Sequence, residues 1–570
     1  MKRMLLVWAA AMAIGAGVQA RAETADLVLH DGQVLTVDPK FDIASAVAIR
    51  HGRIVAVGGE GIVKRFKAAQ VIDLHGRTLM PGFMDTHLHI MGRSHRDIDI
   101  SKAHSIAELQ DLIRAKAKAL GPGEWITGGG WAEDDFADKR KPVRADLDAA
   151  ASDNPVVLVR AGGHSAVGNG AALKLAHIDA STPDPSKGLI EHDAGGQPNG
   201  VIRERTDLYL ALVPADSPDQ MRPSYVQAMK ALLTLGITSY MEAATSIADE
   251  VPAGMAPGTP TVGRSWRQMQ QIYAEHGAEL PRASVEILYP GAAALKAFPY
   301  HSGYGDERLR IGPIGETAVD GGFTGPTAWT LEDYKGQPGF RGRAFYTRAE
   351  LQDLLDTANR LGWQVGLHAI GDAAIKMAVE AYDESLRKRP GPTGNTRDRR
   401  WYLAHFTMLP PEETMRIMAR DGIWAAQQPN FTYTLETRYE DNLQTSQVDH
   451  INSVATPQRL GVQVAFGSDN LPIDPRVGLY AAITRKGRSG WVHGADEAVS
   501  RQEAIRLYTA AGPYLTFEEK KKGTLEVGKF ADMIVLDHDP LTAPAEQLLT
   551  MKVDLTIIGG KIVYDRAATP

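Results

Sequence analysis

A chain of 570 residues, 44% hydrophobic and 23% charged, has an ordinary globular composition and is too long for one small core, so a large domain with at least one smaller unit is expected. Its net charge of −7, from 62 basic and 69 acidic residues, supplies no basic stripe to neutralise a phosphate backbone, which argues against nucleic acid as a partner. The absence of cysteine excludes disulfides and thiolate ligands, so any metal must be held by histidine and carboxylate.

Met1-Lys2-Arg3 and the apolar run from Met4 to Val18, followed by Ala20-Arg21-Ala22, have the pattern of a cleaved export signal. The run is shorter than the roughly 20 residues of a bilayer span. Processing before Glu23 is predicted. The mature chain is then soluble, has no stable membrane insertion, and is periplasmic if the source is bacterial. From Asp26 to Met80 the sequence alternates and turns like short antiparallel hairpins: Leu27 to Leu29, Val34 to Thr36, Val47 to Ile49 and Ile54 to Val57, with turns at Asp31-Gly32 and His51-Gly52. Gly523 to Leu525, Ala531 to Leu536, Leu555 to Ile558 and Lys561 to Tyr564 repeat that texture at the far end. Residues 23–80 and 520–570 are therefore expected to close one composite β domain.

A stretch from about 91 to 223 breaks the rhythm, with a capping box at Ser105 to Glu108 and a loop-rich segment at Asp193 to Gly200. It is expected to be an insertion over the mouth of the main domain. Trp131, Phe136 and His164 are candidates to line a substrate pocket there, with local core packing as the equal alternative for the aromatics. From about 341 to 512, strand and helix alternate as in parallel βα units. Thr347 to Glu350 caps a helix whose apolar positions are Leu351, Leu354, Leu355, Ala358 and Leu361, and Gly362 stops it. Strands follow at Trp363 to Ile370, ending near His368, at Trp401 to Ala404, ending near His405, and at Val462 to Phe466, ending near Asp469. Polar residues at the C-terminal ends of separate strands are where a (β/α)₈ barrel places its chemistry.

Pro81 to His89 reads PGFMDTHLH. Strand side chains alternate faces, so His87 and His89 point the same way and can grip one ion. With His368, His405 and Asp469 at other strand ends, the set makes a nitrogen-and-oxygen metal site.

These blocks resemble the amidohydrolase superfamily, in the branch called amidohydrolase 3, and are similar to the N-substituted formamide deformylases. The resemblance also rests on Gly162-Gly163-His164-Ser165-Ala166 with Asn169, on Leu367 to Asp372, on Phe466 to Asn470, on Tyr508 to Ala511 and on Lys522 to Asp532. It implies a distorted (β/α)₈ barrel over 81–519 beside a β-sandwich built from both termini. It makes His87 and His89 ligands of one divalent metal, His368 and His405 ligands of a second, and Asp469 both a ligand of the first and the general base. The metal it suggests is Zn²⁺, one or two per chain. Where many members carry a carboxylated lysine in Lys-x-x-x-Asp-Gly, this chain has Glu316 before Asp320-Gly321. A glutamate bridges two cations with its two oxygens. An unrelated exposed Glu316 beside a single metal is the alternative. Glu242, at the end of the Gly236 to Glu242 strand, either orients a ligand imidazole or makes a buried structural hydrogen bond. The implied reaction is attack of metal-activated water on a small-molecule amide or N-substituted formamide, cleaving a carbon–nitrogen bond. A lyase or decarboxylase on the same barrel and a non-catalytic periplasmic binding protein are the rival readings. A homo-oligomer is compatible with each.

Overall fold

The computed structural model describes residues 23–100, 103–131, 136–160, 165–185, 188–248, 264–323 and 326–568. The leader read at Met1 to Ala22 and the pocket candidate His164 lie outside them. The chain divides into two compact units, one of Met1–Leu88, Leu232–Ala244 and Pro281–Pro570, the other of His89–Ala231 and Thr245–Leu280.

Eight parallel strands organise the first unit: β1 (Phe83–Leu88), β2 (Ile237–Thr245), β3 (Arg282–Ile287), β4 (Leu309–Ala318), β5 (Val365–Ala369), β6 (Tyr402–His405), β7 (Trp424–Gln427) and β8 (Val464–Phe466), each hydrogen-bonded to the next. Between β8 and β1 the ring closes through a parallel bridge of Leu88 with Asp469, where the Asp469 N–H donates to the His87 carbonyl at 2.7 Å. The strand-and-helix alternation predicts such parallel units, and the family resemblance implies the distorted barrel they form. Strands packed on both faces read as short apolar runs, and β6 and β8 are buried at every position.

The helix Arg348–Arg360 lies between β4 and β5. Thr347 and Glu350 cap it reciprocally, as the sequence predicts, and Leu351, Leu354, Leu355 and Ala358 form its buried stripe. It ends before Gly362, whose φ of +81° is left-handed.

The same unit carries two further sheets. One has the order Lys561–Asp565, Val553–Ile558, Met533–Leu536, Thr78–Pro81, Gln33–Leu35, Ile43–Ala44, and so joins both ends of the chain. The other has the order Arg53–Gly58, Ala46–Arg50, Glu23–His30, Phe66–Asp73. Leu27, Leu29, Val34, Ile49, Leu79, Met533, Val535 and Ile557 share one core. The expectation of purely antiparallel hairpins needs correction. Glu23–His30 pairs parallel with Phe66–Asp73, and Gln33–Leu35 pairs parallel with Thr78–Pro81. Period-2 alternation fixes which face a side chain takes, not the direction of the neighbouring strand. Gly523 to Leu525 forms no strand. It lays Leu525 into the core, with its N–H on the Thr36 carbonyl at 2.8 Å.

In the second unit, a five-stranded sheet (Leu189–His192, Pro198–Arg203, Ser165–Gly168, Val156–Arg160, Ile126–Trp131) packs with the helix Ile106–Leu120. Ser105 Oγ accepts from the Glu108 N–H at 3.1 Å, but the Glu108 carboxylate returns to the His104 N–H at 2.7 Å and not to Ser105.

Candidate metal centre

The first ligand pair depends on how β1 meets β8. Asp85 and His87 stand two apart on β1 and are fully buried. The Asp85 Oδ1 accepts from the His87 N–H at 3.1 Å and from the Ser468 N–H at 3.0 Å, so one carboxylate clips both strand ends. Burial drives the Asp85 pKa up to about 7. The Ser468 and His87 bonds oppose that rise, and the charge of Asp469 adds to it. The close approach requires a glycine at 467, since a Cβ there would lie 2.7 Å from the His87 nitrogen and 2.9 Å from Asp85 Oδ1. Backbone cannot swing aside as a flexible side chain does. Gly467→Ala is therefore expected to destabilise the fold by about 1–3 kcal/mol, read as a lower urea midpoint at unchanged slope.

Glu316, His405 and Asp469 share a backbone feature invisible in sequence: their φ values are +48°, +72° and +59°. Side-chain-bearing residues rarely adopt this left-handed region, and it concentrates at functional sites. At Glu316 the cause is local. The register of β4 against β5 slips between Gly315 and Thr317, and a bulge of this kind re-aims one side chain.

The donor atoms converge. His87 Nε2 lies 3.6 Å from Glu316 Oε2, and His368 Nδ1 lies 3.7 Å from Glu316 Oε1. The His405 ring stands edge-on to those of His87 and His368, with centroids 4.7 and 4.2 Å away. Three sets of ligand atoms each fall within 4.8 Å: His87, His89 and Glu316; His87, His405 and Asp469; Glu316, His368 and His405. All six metal candidates of the sequence thus appear in these sets, and Glu316 belongs to two of them. Glu316 is part-buried among these donors.

The donor set suits a divalent cation. His405 Nδ1 lies 2.8 Å from Gln428 Oε1, whose amide nitrogen donates in turn to the Ala426 carbonyl at 3.3 Å. That bond assigns the proton to Nδ1 and leaves the Nε2 lone pair free; among the described residues Nε2 has no hydrogen-bond partner. Burial first, then the neighbouring His368 and His87, holds the His405 pKa well below the ordinary imidazole value, so the ring is neutral. Burial also presses His368 down, but Glu316, Asp320 and Asp469 outweigh it and its pKa rises. These carboxylates call for positive charge beside a histidine that refuses a proton. A bound cation satisfies both.

The roles of several residues at the centre were not legible beforehand. Asp85 and Gln428 are two. Asp320 is a third: its Oδ1 accepts from the Ile370 N–H (3.0 Å), and its Oδ2 accepts from those of Gly371 (2.9 Å) and Trp329 (2.7 Å), pinning the chain just beyond β5. Burial raises its pKa to about 6. Glu286, on β3, is a fourth. Glu242 is buried on β2, and its charge is felt at Glu286. Trp131 sits in the core of the second unit with Phe136, its indole N–H donating to the Leu158 carbonyl at 3.3 Å. Both rings edge a cavity of about 570 Å³ within that unit.

Comparison with known proteins places the chain in a family. The chain is 29% identical over 555 residues to the Bacillus subtilis protein YtcJ, covering 95% of this chain and 99% of that one. It is 27% identical over 570 residues to N-substituted formamide deformylase of Arthrobacter pascens, again covering 95% and 99%. An uncharacterized metal-dependent hydrolase from Pyrococcus furiosus shares the fold, with a TM-score of 0.66 and 24% identity over 90% of this chain and 100% of its own. The sequence profile described as the amidohydrolase family matches residues 70–564, and the chain belongs to that family.

Proposed function

We propose that this amidohydrolase-family protein hydrolyses the carbon–nitrogen bond of a small-molecule amide or N-substituted formamide, and that His87, His89, Glu316, His368, His405 and Asp469 would hold its one or two divalent cations. The observation that carries the reading is the double membership of Glu316: one oxygen faces His87 and the other faces His368. The similarity to a formamide deformylase supports the choice of bond. Zn²⁺, the cation of this reading, polarises a carbonyl and makes a water acidic enough to ionise near pH 7. The protein's own residues do the rest. His405, kept neutral by burial and oriented by Gln428, offers a lone pair without a competing proton. Asp469 takes the proton of the attacking water and returns it to the leaving nitrogen, so that one water is consumed and an acid and an amine are released. Asp320 and Asp85 hold the chain beside these groups by backbone hydrogen bonds and keep the donors from drifting.

The test is elemental analysis of the purified protein followed by a screen of N-formyl and N-acyl amines. The expected result is stoichiometric release of amine and acid from the metal-loaded enzyme. Loss of carbon dioxide, or elimination without uptake of water, would replace the hydrolase reading with the lyase one.

A further inference from the structure

A (β/α)₈ barrel is ordinarily filled by branched apolar side chains. Here Glu286 of β3 and Tyr402 of β6, on strands that are not neighbours in the sheet, meet inside it. The Tyr402 hydroxyl donates to Glu286 Oε1 at 2.6 Å, and both residues are fully buried. Two glycines on the strands between them open the passage. A Cβ at Gly315 would lie 2.1 Å from Glu286 Oε2, and one at Gly366 would lie 2.2 Å from the Tyr402 ring. Tyr402 is itself held, because the Tyr382 hydroxyl accepts from the Leu367 N–H at 3.0 Å and donates to the Tyr402 carbonyl at 2.9 Å. The register of β3 against β4 slips between Val285 and Ile287, which places Glu286 at an irregularity, as Glu316 is on the next strand. The Glu316 backbone also hydrogen-bonds the Glu286 carboxyl, whose Oε1 stands 4.0 Å from His87 Nδ1, in contact with the ring but beyond hydrogen-bond reach. Burying a carboxyl in this way is costly, and nothing in the packing of the barrel demands it.

We infer that Glu286 is a positioning residue for His87: it faces Nδ1 and so turns Nε2, which lies 3.6 Å from Glu316 Oε2, toward the cation. The inference rests on the proposed role of His87 as a ligand. A carboxyl group packed 4.0 Å behind a ligating imidazole restricts the rotation of the ring and so keeps the far nitrogen directed at the cation. Tyr402 holds that carboxylate in place. The two glycines exist to let the pair meet.

The test uses full-length protein and Zn²⁺ alone, without substrate. Zn²⁺ affinity is measured by chelator competition, and the melting midpoint of the metal-free protein is measured beside it, for Glu286→Leu, Glu286→Gln, Tyr402→Phe and the reference His87→Ala. Glu286→Leu is expected to bind Zn²⁺ about 10–100-fold more weakly, with smaller losses in Glu286→Gln and Tyr402→Phe. Its metal-free midpoint should stay close to that of the wild type, because relief of a buried carboxyl offsets the loss of the acceptor of the Tyr402 hydroxyl. A loss of affinity at a nearly unchanged midpoint separates positioning from packing, since a merely structural residue lowers both. Unchanged affinity in all three variants overturns the inference, as does a loss of affinity that simply follows a lowered midpoint. If Glu286→Leu does not fold, Glu286→Gln and Tyr402→Phe decide the matter. If His87→Ala also leaves affinity intact, the ligand role of His87 fails and the inference falls with it. If only His87→Ala weakens binding, positioning alone is rejected.

Discussion

Asp469→Asn is expected to keep its metal and to lose a factor of about 10² to 10⁴ in kcat, a barrier increase of roughly 3–5 kcal/mol. The substitution keeps the shape of the side chain and an oxygen able to coordinate, but the amide accepts no proton near neutral pH. It also keeps the backbone geometry better than most replacements. Asp469 has φ +59°, and asparagine tolerates the left-handed region best after glycine. A collapse of turnover is therefore not a folding defect. The acidic limb of the kcat profile should go with it, and that limb belongs to the coupled system of Asp469, its neighbours and the water, not to one carboxyl. The measurement is kcat against pH at matched metal content. Near-normal turnover in a fully metallated Asp469→Asn protein would reject the proton-transfer role and leave a ligand or structural residue.

Glu316→Ala is expected to have the second large effect. If its two oxygens serve two cations, the wild type should carry about two metal equivalents per chain and the variant about one or fewer, with activity falling accordingly. Glu316→Gln is the informative companion. It preserves side-chain volume at the bulge but supplies one carbonyl oxygen where two charged oxygens stood, so it should hold metal more weakly than the wild type and better than Ala. Elemental analysis after equilibrium dialysis reads all three. Unchanged stoichiometry and activity in Glu316→Ala would remove Glu316 from the site.

What the sequence made legible follows physical lines. The ends of β5, β6 and β8 were predictable because a buried parallel strand is a short apolar run with a polar residue at its C-terminal end, and His368, His405 and Asp469 each have that signature. His87 and His89 were legible from their spacing. Glu286 was not. In Arg282 to Ile287 (RASVEI) a carboxylate between Val285 and Ile287, two residues on from Ser284, looks like the solvent-facing member of an alternating strand, and alternation cannot tell a barrel interior from bulk water. The available clue was indirect: Gly315 and Gly366 sit inside strands, where glycine marks a close approach. Gln428 and Asp85 were hidden for another reason. Their partners, His405 and Ser468, are 23 and 383 residues away, and only the closed barrel brings the latter pair together.

The order of the six-stranded sheet has a consequence for the chain while it is being made. Thr78–Pro81 lies between Gln33–Leu35 on one side and Met533–Leu536 on the other. Its first partner is synthesised before it, and its second is among the last segments to appear. At about 5–20 residues per second the nascent protein spends tens of seconds with one side of that strand open, and Leu79 and Met80, both buried in the finished fold, without their cover. An open apolar edge is a template for wrong pairing. The barrel's first strand follows directly at Phe83, so this vulnerable stretch leads straight into the segment that carries His87. Synthesis cut short before Met533 leaves the edge permanently bare, and such fragments are bound for aggregation or proteolysis rather than for a shortened enzyme.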